Sequence, residues 1–290
     1  MTTSAAAADR PQAVVHVDLD GARHIFQAHG WRYGAATDPF FESGLVAALE
    51  CFERAKVQAT LFVIAEDVSD PIKRRLLGDA LKAGHEVASH TMTHPRLTRL
   101  GRAAKRREIV ESRAVLQSAL GVDVQGFRAP GFHVDEEALE LINEAGYTYD
   151  SSVWAGQGGR SRSPHRPLAR QPLLELPVPT RGPFSAPFHP SYSLVLGDWF
   201  FRGGVQSWRR RSAPFVFLLH LTDFAAPLPA RQVRGWRQRL FTLSHLPAAQ
   251  KRARCAAMLD LVSQQFRVAS TSELLQDAAR VAVHGEGNGE

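Results

Sequence analysis

Residues 13–18 alternate around Val15 and Val17, the period-two signature of a half-buried strand, and residues 58–64 form a second β-rich run. A helix is predicted between them. Asp38 stands as its N-cap, Pro39 occupies the first helical position, and Phe41, Leu45, Leu49 and Phe52 recur on one face. The pattern then repeats. Asp70 and Pro71 open a helix that ends near Gly84, and a short strand follows over 85–88. A third helix covers 102–120 and stops at Gly121. Next come a strand over 124–127 and a helix over 135–145 closed by Gly146. Such alternation predicts an α/β fold with a parallel sheet and crossover helices, a length that suits either a barrel or an open sheet.

The regularity fails after Asp150. Residues 156–172 are rich in Gly, Ser and Pro, carry Arg160, Arg162, Arg166 and Arg170, and read as a mobile loop. Order returns over 173–178 and over 215–220, an apolar run ending abruptly in His220, and helices are expected over 248–266 and 272–281. Residues 1–12 read as a disordered leader without the apolar centre of a signal peptide, 283–290 as a flexible tail, and 13–282 as one catalytic domain. No run of eighteen apolar residues occurs, so the expectation is a cytoplasmic protein.

Composition changes this picture little. A chain of 290 residues with 44% hydrophobic content can bury a large core. Cys51 and Cys255 lack metal-site or redox spacing and suit a reducing compartment. A net charge of +6 favours anionic partners, such as a phosphate-bearing substrate or peripheral contact with an anionic membrane. The four loop arginines could serve such a contact or only solvate a loop. Trp199, Phe200 and Phe201 suit a sugar or lipid contact, or simple core. No zinc-finger spacing or aromatic ribonucleoprotein motif points to nucleic acid.

The chemistry-bearing residues fall at the ends of the predicted strands. Asp18 and Asp20 stand two apart, so both carboxylates face the same way. They can hold a metal beside a general base, or cap a helix. His90 and His94 stand four apart, and on a helical turn both imidazoles would share one face. Two histidines with one carboxylate make a facial metal site, zinc first, with cobalt, nickel or iron able to substitute. Arg128, just past the strand over 124–127, suits a bidentate contact that keeps Asp18 ionised, or a structural salt bridge. His220 is a general acid or a core histidine. Asp150 is the first choice to orient it, with Asp223 competing.

In this order Asp18-Leu19-Asp20, His90-x-x-x-His94, Arg128-Ala129-Pro130 and Leu218-Leu219-His220 resemble the motifs of the NodB-type polysaccharide deacetylases, carbohydrate esterase family 4, over about residues 14–220. The resemblance implies a distorted (β/α) barrel and a divalent metal, usually zinc, on Asp20, His90 and His94. It also implies Asp18 as base, Arg128 as its tether, His220 as acid and Asp150 as support for His220. Most of the family has two adjacent aspartates, whereas Leu19 separates them here. That spacing is similar to a branch that includes the lipid-linked formamido-arabinose deformylase and allantoinase-like members. The expected activity is removal of an acetyl or formyl group from an amino sugar, nucleotide- or lipid-linked forms included. Cyclic amide hydrolysis and non-catalytic binding of an anionic glycan are the alternatives.

Overall fold

The computed structural model describes residues 10–35, 37–211 and 213–277. Its main sheet is built from β1 (Gln12–Asp18), β2 (Ala59–Val63), β3 (Glu86–Ser89), β4 (Gly126–Phe127), β5 (Tyr149–Asp150) and β6 (Leu174–Glu175), each parallel to the next. A separate antiparallel pair, β7 (Thr180–Arg181) and β8 (Ala186–Pro187), follows. β9 (Phe215–His220) then returns alongside β1, and β10 (Arg267–Ala269) pairs with the first residues of β1. The sheet curls into a partial barrel: among the described residues no pairing joins β6 to β9. The expected distorted (β/α) barrel is therefore observed, as one domain, in preference to a flat open sheet.

Helices separate the strands: α1 (Ala22–Ala28), α2 (Pro39–Ala55), α3 (Pro71–Lys82), α4, α5 (Glu136–Glu144), α6 (Pro190–Leu196), α7 (Asp198–Arg209), α8 (Trp236–Phe241) and α9 (Ala248–Gln265). α4 is continuous over Arg102–Arg106, Arg107–Glu111 and Ser112–Leu120, and its middle segment is π-helical. The predicted caps are present. Asp38 accepts from the Phe41 amide, Asp70 from those of Ile72 and Lys73, and Asp135 from that of Ala138. Gly121 and Gly146 take the left-handed conformation expected of helix stops.

Some boundaries differ from expectation. Arg10 donates to the carbonyls of Ser263 and Gln264, and β1 begins at Gln12, so ordered structure starts before the predicted end of the leader. Residues 1–9 and the expected tail 283–290 lie outside the described residues, and of the helix expected over 272–281 residues 272–277 are helical while the rest also lie outside them. α1, α6 and α8 carried no clear cap or period in the sequence, and α7 went unread although Phe201, Val205 and Trp208 recur on its buried face.

Strand alternation sorts the core into two layers. Val15, Val17 and Leu19 face the helices, packed with Phe41, Leu45 and Phe52, while Val14 and Val216 join Phe62, Ala88, Tyr149 and Leu176 in a smaller cluster inside the barrel. Burying each aromatic side chain of this kind stabilises the fold by about 1.5–3 kcal/mol. Above the inner apolar layer the inward positions of β1 become His16, then Asp18. The polar site thus sits on a packed apolar floor at the carboxyl ends of the strands.

Candidate active site

Asp18 is the last residue of β1 and lies opposite His220, the last residue of β9, in the parallel register. Asp20 follows two residues later on the same side. Gly21 is required between Asp20 and α1, because a Cβ there would stand 1.8 Å from a carboxylate oxygen of Asp38. His90 comes immediately after β3 and Arg128 immediately after β4. Four strand ends therefore supply the site, as parallel α/β folds favour.

Asp20 Oδ1 lies 3.3 Å from His90 Nε2 and 3.2 Å from His94 Nε2. For bonds of about 2.0–2.1 Å, the edge of a tetrahedral metal site is about 3.3 Å. One donor atom from each of the three residues falls within 4.8 Å of the others. Asp20 Oδ1 and His94 Nε2 are buried without a hydrogen-bond partner, a cost that a divalent cation between them would relieve. His90 Nδ1 donates to the Arg128 carbonyl at 2.8 Å, which leaves its Nε2 lone pair directed at Asp20. Burial works to raise the Asp20 carboxyl, but the close imidazoles of His94 and His90 outweigh it and hold the group well below the usual range. The donor set fits a divalent metal.

The two histidines do not share a helical turn, contrary to the sequence expectation. They lie on an irregular loop in which Thr91 and His94 adopt φ of 70° and 65°. Glu108 holds that loop: its carboxylate accepts from the amides of Met92 (3.0 Å) and Thr93 (2.8 Å) and from the Thr93 hydroxyl (2.8 Å). Glu108 sits on the π-helical segment of α4, a local widening often found near functional sites. No motif in the sequence marked it.

Arg128 is fully buried. Nη1 donates to Asp18 Oδ1 at 2.7 Å, Nη2 to the Ser151 hydroxyl at 2.7 Å and to His16 Nδ1 at 2.8 Å, and Nε to the Ser151 carbonyl at 2.8 Å. Phe62 lies flat under the guanidinium, 3.9 Å from ring centroid to Cζ. Burial and the Arg128 charge push the His16 imidazole well below its ordinary value, so His16 stays neutral and serves as acceptor. The contact is a single charge-assisted bond to Asp18, not the bidentate fork expected. His16 went unnoticed in the sequence although it shares the alternation of Asp18 and Asp20.

His220 Nε2 stands 3.9 Å from Asp18 Oδ2. Its Nδ1 lies 3.3 Å from the Ser191 hydroxyl, which donates to Asp223 Oδ1 at 2.7 Å, and Asp223 Oδ2 accepts the His220 amide at 2.9 Å. That network assigns the Nδ1 proton to the Ser191 side. Asp150 is placed elsewhere. It accepts from Ser152 at 2.5 Å and pairs with Glu175, and among the described residues no hydrogen bond or ion pair joins it to His220. The contact expected between Asp150 and His220 is thus not found among the described residues, and the hydrogen bonds around His220 run to Asp223, the competing aspartate, through Ser191. Asp150 ends β5, which three strands separate from β1 in the sheet, whereas Asp223 is three residues from His220.

Outside this centre, Trp199 is exposed, Phe200 half-buried and Phe201 buried in the core. Arg160, Arg162, Arg166 and Arg170 lie in the irregular segment before β6. Among the described residues no helix is long and apolar enough to cross a membrane.

Comparison with known proteins agrees with this arrangement. Residues 37–149 match the polysaccharide deacetylase family profile. A chitooligosaccharide deacetylase of Sinorhizobium fredii is 32% identical over 116 residues, which cover 38% of this chain and 53% of that protein, so the match spans about half of the relative. Among solved structures, a candidate polysaccharide deacetylase from Mycobacterium smegmatis superposes with a TM-score of 0.68 at 18% identity, covering 94% of this chain and 92% of that one. The Puue allantoinase gives 0.65 at 14% identity, covering 92% and 89%. At these identities the superpositions establish the fold alone. By sequence over residues 37–149 and by fold over most of its length, the chain resembles the NodB-type polysaccharide deacetylases, carbohydrate esterase family 4.

Proposed function

We propose that the protein is a metal-dependent amide hydrolase that removes an N-acetyl or N-formyl group from an amino sugar. The observation that supports this most directly is the convergence of a carboxylate–bis-histidine donor set (Asp20, His90, His94) and an acid–base pair (Asp18, His220) at one end of the barrel. Bound there, a divalent ion, zinc by preference, supplies a Lewis acid that polarises the acyl carbonyl and acidifies the attacking water. Asp18, tethered by Arg128, accepts the proton of that water. His220 delivers a proton from Nε2 to the departing amine, while Ser191 and Asp223 steady the charge that it carries at Nδ1. The spacing of Asp18 and Asp20 is the reason to include formyl among the acyl groups.

Cyclic amide hydrolysis breaks the same kind of bond, and the likeness to the Puue allantoinase keeps allantoin among the substrates to try. The test is release of acetate or formate from chitooligosaccharides and from N-acetyl and N-formyl amino sugars, by chelator-treated protein before and after zinc is restored. Zinc-dependent release, abolished in Asp18→Asn and His90→Ala, is the expected result. Stoichiometric zinc with no turnover of any amino sugar would overturn the proposal, and turnover of allantoin alone would replace it with the second reading.

A further inference from the structure

Beside His94 the surface opens into a cleft of about 520 Å³ whose wall includes His29, Arg96, Arg99 and His133 and contains no Asp or Glu. The cleft adjoins the candidate metal site because His94 belongs to both. Its volume lies in the range of small-molecule sites and exceeds a single tetrahedral anion, so it also accommodates an adjoining sugar unit.

Among the described residues the two arginines of this cleft have no carboxylate partner. Arg102, three residues beyond Arg99, ends on Glu140 and Glu144 at 3.3 and 3.1 Å, whereas Arg96 and Arg99 meet no acid among the described residues. Arg96 directs Nη2 at the Nε2 of His133. Burial, then the charges of Arg96 and Arg99, push the His133 imidazole down, so both guanidiniums lie within electrostatic reach of that ring. His29 Nδ1 is engaged with the Ile25 carbonyl at 2.8 Å, leaving its Nε2 uncommitted. Positive charge held together without acidic neighbours is costly to assemble and is relieved by an anion. Guanidinium forks match the oxygens of a phosphoryl group, and two of them lining one cleft can share its three free oxygens.

We propose that this cleft is the subsite for a phosphoryl group on the substrate, so that the protein acts on an acylated amino sugar joined to phosphate and not on a neutral oligosaccharide. The identity of the sugar part rests on the deacylase reading above; the phosphoryl subsite itself does not. It also moves the anion contact away from the arginines of residues 156–172 to the pair next to the metal ligands.

The binding test uses the full chain stripped of metal by chelator, so that a metal ion cannot hold the probe, with inorganic pyrophosphate titrated calorimetrically at about 0.15 M salt to screen non-specific attraction. Arg96 and Arg99 are exposed, so the double variant Arg96→Gln/Arg99→Gln should fold. It is expected to bind at least about tenfold more weakly than wild type, while Arg160→Gln/Arg162→Gln binds as wild type does. No binding by wild type, equal binding by the first variant, or loss in the second alone would overturn the subsite. A catalytic arm compares N-acetylglucosamine 1-phosphate with N-acetylglucosamine on zinc-loaded protein. Preference for the phosphorylated sugar, lost in Arg96→Gln/Arg99→Gln, is the expected result. Hydrolysis of both sugars at equal efficiency removes the subsite and leaves the deacylase. Pyrophosphate binding without hydrolysis of any acyl sugar does the reverse.

Discussion

Asp18 and His220 are partner residues on neighbouring parallel strands, and their side chains face each other across 3.9 Å. Sheet register, not loop conformation, sets the separation of the proposed base and acid. Asp18→Asn keeps the shape and a single acceptor oxygen for Arg128 but removes the basic carboxylate. We expect kcat to fall by about 10²–10⁴ with bound metal unchanged. Metal analysis beside steady-state kinetics checks this, and a variant that kept kcat within about threefold would remove Asp18 from the chemistry.

The partner of His220 is decided by comparing two aspartates. Asp223→Asn is expected to lower kcat by about 10–100-fold, the usual cost of losing a supporting carboxylate. Ser191→Ala should act in the same direction because its hydroxyl joins the two residues. A larger kcat loss in Asp150→Asn than in Asp223→Asn would contradict the observed network.

Glu108 touches neither the candidate ligands nor any substrate position, yet it holds two amides of the loop between His90 and His94. Glu108→Gln keeps one oxygen for both amides but loses the charge and the second oxygen, which accepts the Thr93 hydroxyl. A zinc affinity weakened by about 10–100-fold is expected from competition with a chromophoric chelator. Unchanged affinity would mean that the loop keeps its shape unaided.

Asp150 and Glu175 are fully buried side by side. Burial pushes Asp150 up to about 6, and burial followed by the charge of Asp150 pushes Glu175 well above its usual value. Asp150 Oδ2 and Glu175 Oε2, otherwise unpartnered, are accounted for by one shared proton. The folded state thus keeps protons that the unfolded chain releases above about pH 4. The stability they contribute is complete below that value and is lost as pH rises through 6 and beyond. Glu175→Gln is neutral in both states, so its stability relative to wild type should improve between pH 5 and pH 8. Urea unfolding of both proteins at the two pH values measures this, and a difference independent of pH would rule out the shared proton.

Much of the fold could be read from local signals. Asp38-Pro39, Asp70-Pro71, Asp135, Gly121 and Gly146 state helix ends through their own backbone chemistry, and β1 and β9 state strands through theirs. Asp18, Asp20, His90, His94, Arg128 and His220 could be placed because each follows a readable strand. What escaped depends on distant packing. His16 matters through Arg128, 112 residues away, and Glu108 through a helical widening without a sequence signature. Asp223 meets His220 from only three residues on, through the turn after β9, while Asp150 closes a distant strand whose place in the sheet the sequence does not state. The helical turn expected for His90 and His94 failed because spacing alone cannot exclude left-handed residues.

The widened turn of α4 carries one surplus residue relative to a regular helix. Removing one residue of 107–111 would restore the ordinary ladder and leave the helix on either side nearly in phase. Ser112 would keep Ser89 and Tyr147, which it now meets at 2.9 and 3.3 Å, while the bulge that carries Glu108 to the loop amides would be gone. The length of this turn is therefore a constraint in its own right: substitutions along the exposed face of the helix can accumulate, but a single-codon deletion there would leave the brace standing and take away the hand that holds the loop.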